Sequence, residues 1–195
     1  MVFPAVSADL QVHLYDFSHQ PNWTLKKAQQ VASRVFAEAG VNLVWTLGDG
    51  SDPQAHTVDF TPAEYCPSMP RRGYLNVRLT RTTPESVPTA TLGVAYPCSK
   101  TGVQVSIYVD HVEALAPQIP ISVPMILGYA LVHEIGHMLL QSGAHSTNGL
   151  MKACWSKSDL RAAMFYRLHF EADEVARIRQ SLSEQIAIDL SQHNP

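Results

Sequence analysis

Apolar and polar residues alternate with period two near the start of the chain. Leu10, Val12 and Leu14 are separated by Gln11 and His13, so residues 10–17 predict a strand with one buried face. The period then changes. Leu25, Ala28, Val31, Ala32, Val35, Phe36 and Ala39 fall on one side of a helix, with Thr24 as the expected cap and Gly40 as the stop. Residues 41–47 return to strand character. A strand, a helix and a strand within so short a stretch form a βαβ unit, which requires a parallel pair in the sheet. After a polar loop at 48–54 and irregular chain at 57–72, Leu75, Val77 and Leu79 mark a third strand. Residues 91–96 predict a short edge strand ending at Pro97, since proline cannot donate into a ladder. Val103, Val105, Ile107 and Val109 alternate in a fifth strand, and His111 falls in the surface turn after it.

The pattern changes again at Pro124. From Met125 to Leu140 nearly every position is apolar, so this helix has no solvent face and belongs in the middle of the molecule. Ser122 is the expected N-cap, with Pro124 in the first turn, where its missing N–H costs little. Beyond it come a short helix near 159–166 and a longer one from about Glu171, with Val175, Ile178, Leu182 and Ile186 on one face.

The buried helix carries polar residues at chosen places. His133 and His137 are one turn apart on one face, because each residue advances the helix by roughly 100°. Two imidazoles so placed can share one metal ion, and Glu134 beside them can reach a water in the ion's open position without being a ligand. A glutamate is rarely buried unless it is paired, which a plain core helix would not explain. Gly143 is the expected helix stop, with the helix running to about Ser142, and His145 just beyond can swing back as a third ligand. Three protein ligands leave the fourth zinc position open, as a catalytic site needs. The rival third ligand is an acid of the last helix, Glu171 or Glu174.

This stretch resembles the metzincin clan of zinc peptidases, whose pattern is H-E-x-x-H-x-x-G-x-x-H followed by a methionine-containing turn. His133, Glu134 and His137 match its first half, and Met151 stands where the Met-turn methionine is expected. The chain departs from the pattern in having Leu140 and Gly143 at the glycine and third-histidine positions, with the histidine two residues later. The resemblance covers residues 132–151. It implies an α+β zincin-like fold over 1–195 as a single catalytic domain: a mixed twisted sheet and central helix in about 9–142, and a helical part in about 143–195. It implies one catalytic zinc ion on His133, His137 and His145, an apolar floor at Met151, and Glu134 as general base acting on zinc-bound water. The implied activity is that of an endopeptidase on peptide or protein substrates. Two other readings share the same residues: a metal-binding protein without turnover, and a zinc hydrolase acting on a non-peptide amide. Tyr108, Tyr129 and Tyr166 are candidates to stabilise an oxyanion.

Composition narrows the class. The chain has 195 residues, 46% hydrophobic and 16% charged, with a net charge of −3. That is a globular composition with no basic cluster for nucleic acid. No apolar run reaches the length expected of a membrane span. Three cysteines allow one Cys66–Cys98 bridge with Cys154 free, or three buried thiols. Val6-Ser7-Ala8 has the small-residue character of a signal-peptidase site, so a secreted or extracytoplasmic protein is expected.

Overall fold

The computed structural model describes residues 8–58, 74–99, 102–119 and 121–192, with side chains as far as 184. The expected irregular segment at 57–72, including Cys66, lies mostly outside the described residues, as do Val6 and Ser7. Five strands form one sheet: β1 (Ala8–Asp16), β2 (Val41–Leu47), β3 (Tyr74–Thr80), β4 (Gly93–Ala95) and β5 (Val105–Tyr108). Their order is β2-β1-β3-β5-β4. β1 pairs in parallel with β2 and with β3, β3 pairs in parallel with β5, and β4 runs antiparallel along the outside of β5. The fold is thus the mixed sheet with helices that the pattern implied, and the short strand before Pro97 is its edge.

Helix α1 (Asn22–Glu38) and helix α3 (Val123–Leu140) join the inward residues of β1 and β3 in one core. α1 begins earlier than expected. Its N-cap is Pro21, whose carbonyl accepts from the Thr24 and Leu25 N–H groups, and Thr24 is buried inside the first turn. α1 and α3 approach closely at Gly128, where a Cβ would lie 2.5 Å from Val31 Cβ. α3 is buried from Pro124 to Leu139. Contrary to the expectation that no apolar run is long enough to span a membrane, α3 is, among the described residues, the one helix long and apolar enough, yet 89% of it is buried within the fold, the mark of a core helix.

The fifth strand stops short of expectation. β5 ends at Tyr108, and helix α2 (Val109–Leu115) follows directly, so Val109 is helical and His111 is no surface turn residue. Its Nδ1 lies 2.7 Å from the Thr91 carbonyl and ties α2 to the approach to β4. Helix α4 (Lys157–Met164) starts on a capping box made by Ser156 and Asp159, and helix α5 (Ala172–Gln192) closes the chain.

Candidate metal centre

α3 ends at Leu140, two residues before the expected point, and Gly143 does not turn the chain. Gln141 takes the left-handed conformation instead, with φ 50°. A non-glycine residue resists that geometry by roughly 1–2 kcal/mol, so other contacts must hold it. Here Ser142 N–H donates to the His137 carbonyl at 3.2 Å, and the Ser142 carbonyl lies 2.7 Å from His137 Nδ1. Turning at Gln141 is what folds Ser142 back onto the histidine.

His133, His137 and His145 converge, with one nitrogen from each lying within 4.8 Å of the others. Among the described residues no other three acids, cysteines or histidines come together so closely, and neither Glu171 nor Glu174 belongs to the group. The tautomers follow from the partners. His133 Nδ1 faces the Leu150 carbonyl at 3.1 Å, as His137 Nδ1 faces that of Ser142. Carbonyls only accept, so both Nδ1 atoms carry the proton and both Nε2 lone pairs are left bare. Those two Nε2 atoms lie 3.1 Å apart. Two lone pairs face to face repel unless a cation lies between them. Tetrahedral zinc with N–Zn bonds near 2.0–2.1 Å places two ligand nitrogens about 3.3 Å apart, so the pair fits that ion.

Electrostatics favour the same conclusion. Burial pulls the His133 imidazole down to about 4, helped by the neighbouring His137, and holds His137 below its ordinary range. Both are therefore neutral at pH 7 and ready to ligate. Burial pushes the Glu134 carboxyl up to about 8, against a hydrogen bond from the Ala95 backbone that lowers it. A bound cation beside it would favour the ionised form.

The surroundings form a cleft of about 480 Å³ between β4 and α3, closed on one side by the loop through Cys154 and Trp155. Glu134 and all three histidines line it. His145 stands on its exposed side, stacked on His133 with ring centroids 5.4 Å apart. Met151 is buried against the histidine-bearing turn of α3. Its sulfur would be 2.8 Å and the Phe170 ring 3.0 Å from a Cβ on Gly136, so a larger residue between the two histidines would have to displace these side chains. Tyr108, Tyr129 and Tyr166 do not line the cleft. Tyr108 is buried, and Tyr166 lies beneath the Arg34 guanidinium, 3.9 Å from its ring centre.

Two contributors were invisible in the residue pattern. Trp155 Nε1 donates to the Leu150 carbonyl at 2.9 Å, the same oxygen that orients His133, and its ring meets His133 edge-on at 5.7 Å. Gly93 of β4 leaves the space that Glu134 occupies, since a Cβ there would be 2.7 Å from Glu134 Cγ. Neither lies within the motif, and only packing brings them to it. Of the cysteines, Cys98 is disulfide-bonded and Cys154 is free and exposed, so three buried thiols are excluded.

No family model matches the chain, and no curated protein matches it by sequence. Solved structures do. A zinc-dependent peptidase from Methanocorpusculum labreanum superposes with a TM-score of 0.52 at 18% identity, covering 86% of this chain and 99% of that one. Metalloproteinase-II from Bacteroides fragilis gives a TM-score of 0.51 at 17% identity over 91% of this chain, which spans 54% of its length. At these identities the likeness is one of fold.

Proposed function

We propose that this protein is a zinc-dependent endopeptidase of metzincin type. The observation that carries the reading is the pair of bare Nε2 atoms 3.1 Å apart, set in a cleft beside a buried glutamate. His133, His137 and His145 hold one catalytic zinc ion, and Met151 is the Met-turn residue that floors the site. The ion, when bound, supplies a Lewis acid that acidifies water and polarises a scissile carbonyl. Glu134 takes the proton of the attacking water and passes it to the leaving amine. The open edge of β4 pairs with an extended peptide, because an edge strand offers unpaired N–H and C=O groups. The chain serves as one catalytic domain, with the sheet above the cleft and the helices after residue 143 below it. The disulfide at Cys98 supports action outside the cytoplasm, where such bonds persist.

The test is metal content with proteolysis on one preparation. About one zinc per chain is expected, with casein cleaved before treatment with a chelator and not after it. A protein that carries no zinc and takes none up on dialysis would overturn the reading.

A further inference from the structure

Glu174 is a buried acid outside the triad, only 1% exposed. Sequence spacing makes it a rival ligand, yet its oxygens are engaged elsewhere. Oε2 accepts from the Glu171 backbone N–H at 2.8 Å, reaching back across the first turn of α5 as the glutamate of a capping box does. Oε1 accepts a short hydrogen bond from the Ser146 hydroxyl. Ser146 follows His145 directly. Its backbone N–H also donates to the Met151 carbonyl at 2.9 Å, and it bridges to Lys152. One carboxylate therefore ties the start of α5 to the loop that carries both His145 and Met151.

His145 needs such support. His133 and His137 project from a buried helix, and each is oriented by a carbonyl at its Nδ1. His145 lies on an exposed loop, and its ring makes no hydrogen bond among the described residues; it only packs against the other two rings. Its direction thus depends on where the backbone at 145–146 is held. The loop has a second attachment to the same segment, from Leu150 N–H to the His169 carbonyl at 2.9 Å.

We propose that Glu174 and Ser146 form a clamp that positions His145 as third zinc ligand, Glu174 acting through Ser146 and not on the metal. The proposal rests on the zinc reading above. It explains how a histidine displaced by two residues from the metzincin spacing still meets the other two: the loop is longer, and α5 holds it.

The test is a double-mutant cycle on the full chain, with zinc affinity measured by competition against a chelator. The variants are S146A, S146T, H145A, S146A/H145A and E174Q. Losing a group that orients a ligand typically costs 10–100-fold in metal affinity. S146A should weaken zinc binding by roughly tenfold or more, while S146T, which keeps the hydroxyl, should stay near the parent. In the H145A background S146A should cost nothing further, because the clamp has no ligand left to position. E174Q keeps one acceptor for two donors and should show the same pattern at smaller size. The visible spectrum of the cobalt-loaded protein should change in S146A and not in S146T. Equal losses from S146A with and without His145, or no loss at all, would overturn the clamp while leaving the zinc site standing. A parent that binds no zinc, or an H145A variant that binds it as tightly as the parent, would overturn the zinc assignment and the clamp with it.

Discussion

Replacing Gly93 with alanine puts a methyl group into the narrowest point between the edge strand and the buried helix. Its carbon would lie 2.7 Å from Glu134 Cγ, 2.8 Å from Ile107 Cδ1 and 3.0 Å from the Ser106 carbonyl oxygen. Carbon atoms rest comfortably about 3.5–4.0 Å apart, so the first two contacts are short by roughly 1 Å. Ser106 is backbone of the paired strand and cannot yield, and Ile107 is 0% exposed within the core. Much of the displacement must fall on Glu134, whose carboxyl is also held by the Ala95 backbone. Overpacking of this kind costs about 1–3 kcal/mol. For a chain of this length that lowers Tm by about 2–4 °C per kcal/mol. With Glu134 as the proposed base, a shift of its carboxyl by about 1 Å should cost on the order of 10²-fold in kcat. The histidines are not touched, so zinc content should be unchanged. Zinc analysis, thermal melting and cleavage of a fluorogenic peptide on one preparation read all three. A G93A protein with parental Tm and parental kcat would show that the cleft is looser than these distances require, and that Glu134 is not held against β4.

Glu134→Gln keeps the shape and removes the carboxylate proposed as the base. It should lower kcat by roughly 10²–10⁴-fold with zinc content retained, and unchanged cleavage would exclude Glu134 from proton transfer. At the end of α3 the strain sits on Gln141, so Gln141→Gly should raise stability by about 1 kcal/mol. Gly143→Ala should be tolerated, since a Cβ there meets nothing within 4 Å; a chemical melt of the two variants that ranks them the other way would refute the helix end described above. Asp159 is pushed up by burial, but hydrogen bonds from Lys152 and Ser156 outweigh this and hold its carboxyl below the ordinary range. Its contribution is then present above the unfolded value, near pH 4, and is lost as pH falls through the lower folded value. Asp159→Asn keeps an acceptor for the Ser156 N–H but loses the charge paired with Lys152, so it should cost up to about 1 kcal/mol at pH 7, and the gap in Tm should close as pH falls below 4; a gap that stays constant would refute the charged contribution.

Much of the architecture was legible because it depends on local periodicity. The alternation in β1 and β3 and the helical spacing from Leu25 to Ala39 are set by which residues can share a face, whatever they pack against. The unbroken apolar run before His133 required a helix buried on all sides, and the spacing of His133, Glu134 and His137 is a property of one helical turn. Local preference gives way where a contact from another part of the chain outweighs it. Gly143 looked like the helix stop because glycine alone turns left at no cost, yet Gln141 turns there, held by the bond between His137 and Ser142. Thr24 looked like a cap, but the Pro21 carbonyl already receives the first N–H groups. Val109 continued the strand alternation and became helix, with His111 anchored on Thr91.

The composition of the candidate site divides the same way. His133 and His137 were set by the helix alone. That His145 completes the cluster, and that Glu174 holds Ser146 rather than joining the three histidines, depends on how α5 packs against a loop distant in sequence. Gly93 and Trp155 likewise matter only because the sheet edge and the loop after Met151 close on the same helix. A sequence pattern records which groups one element can present; which groups from separate elements meet at a few ångströms is decided by packing, because those distances exist only in the folded chain.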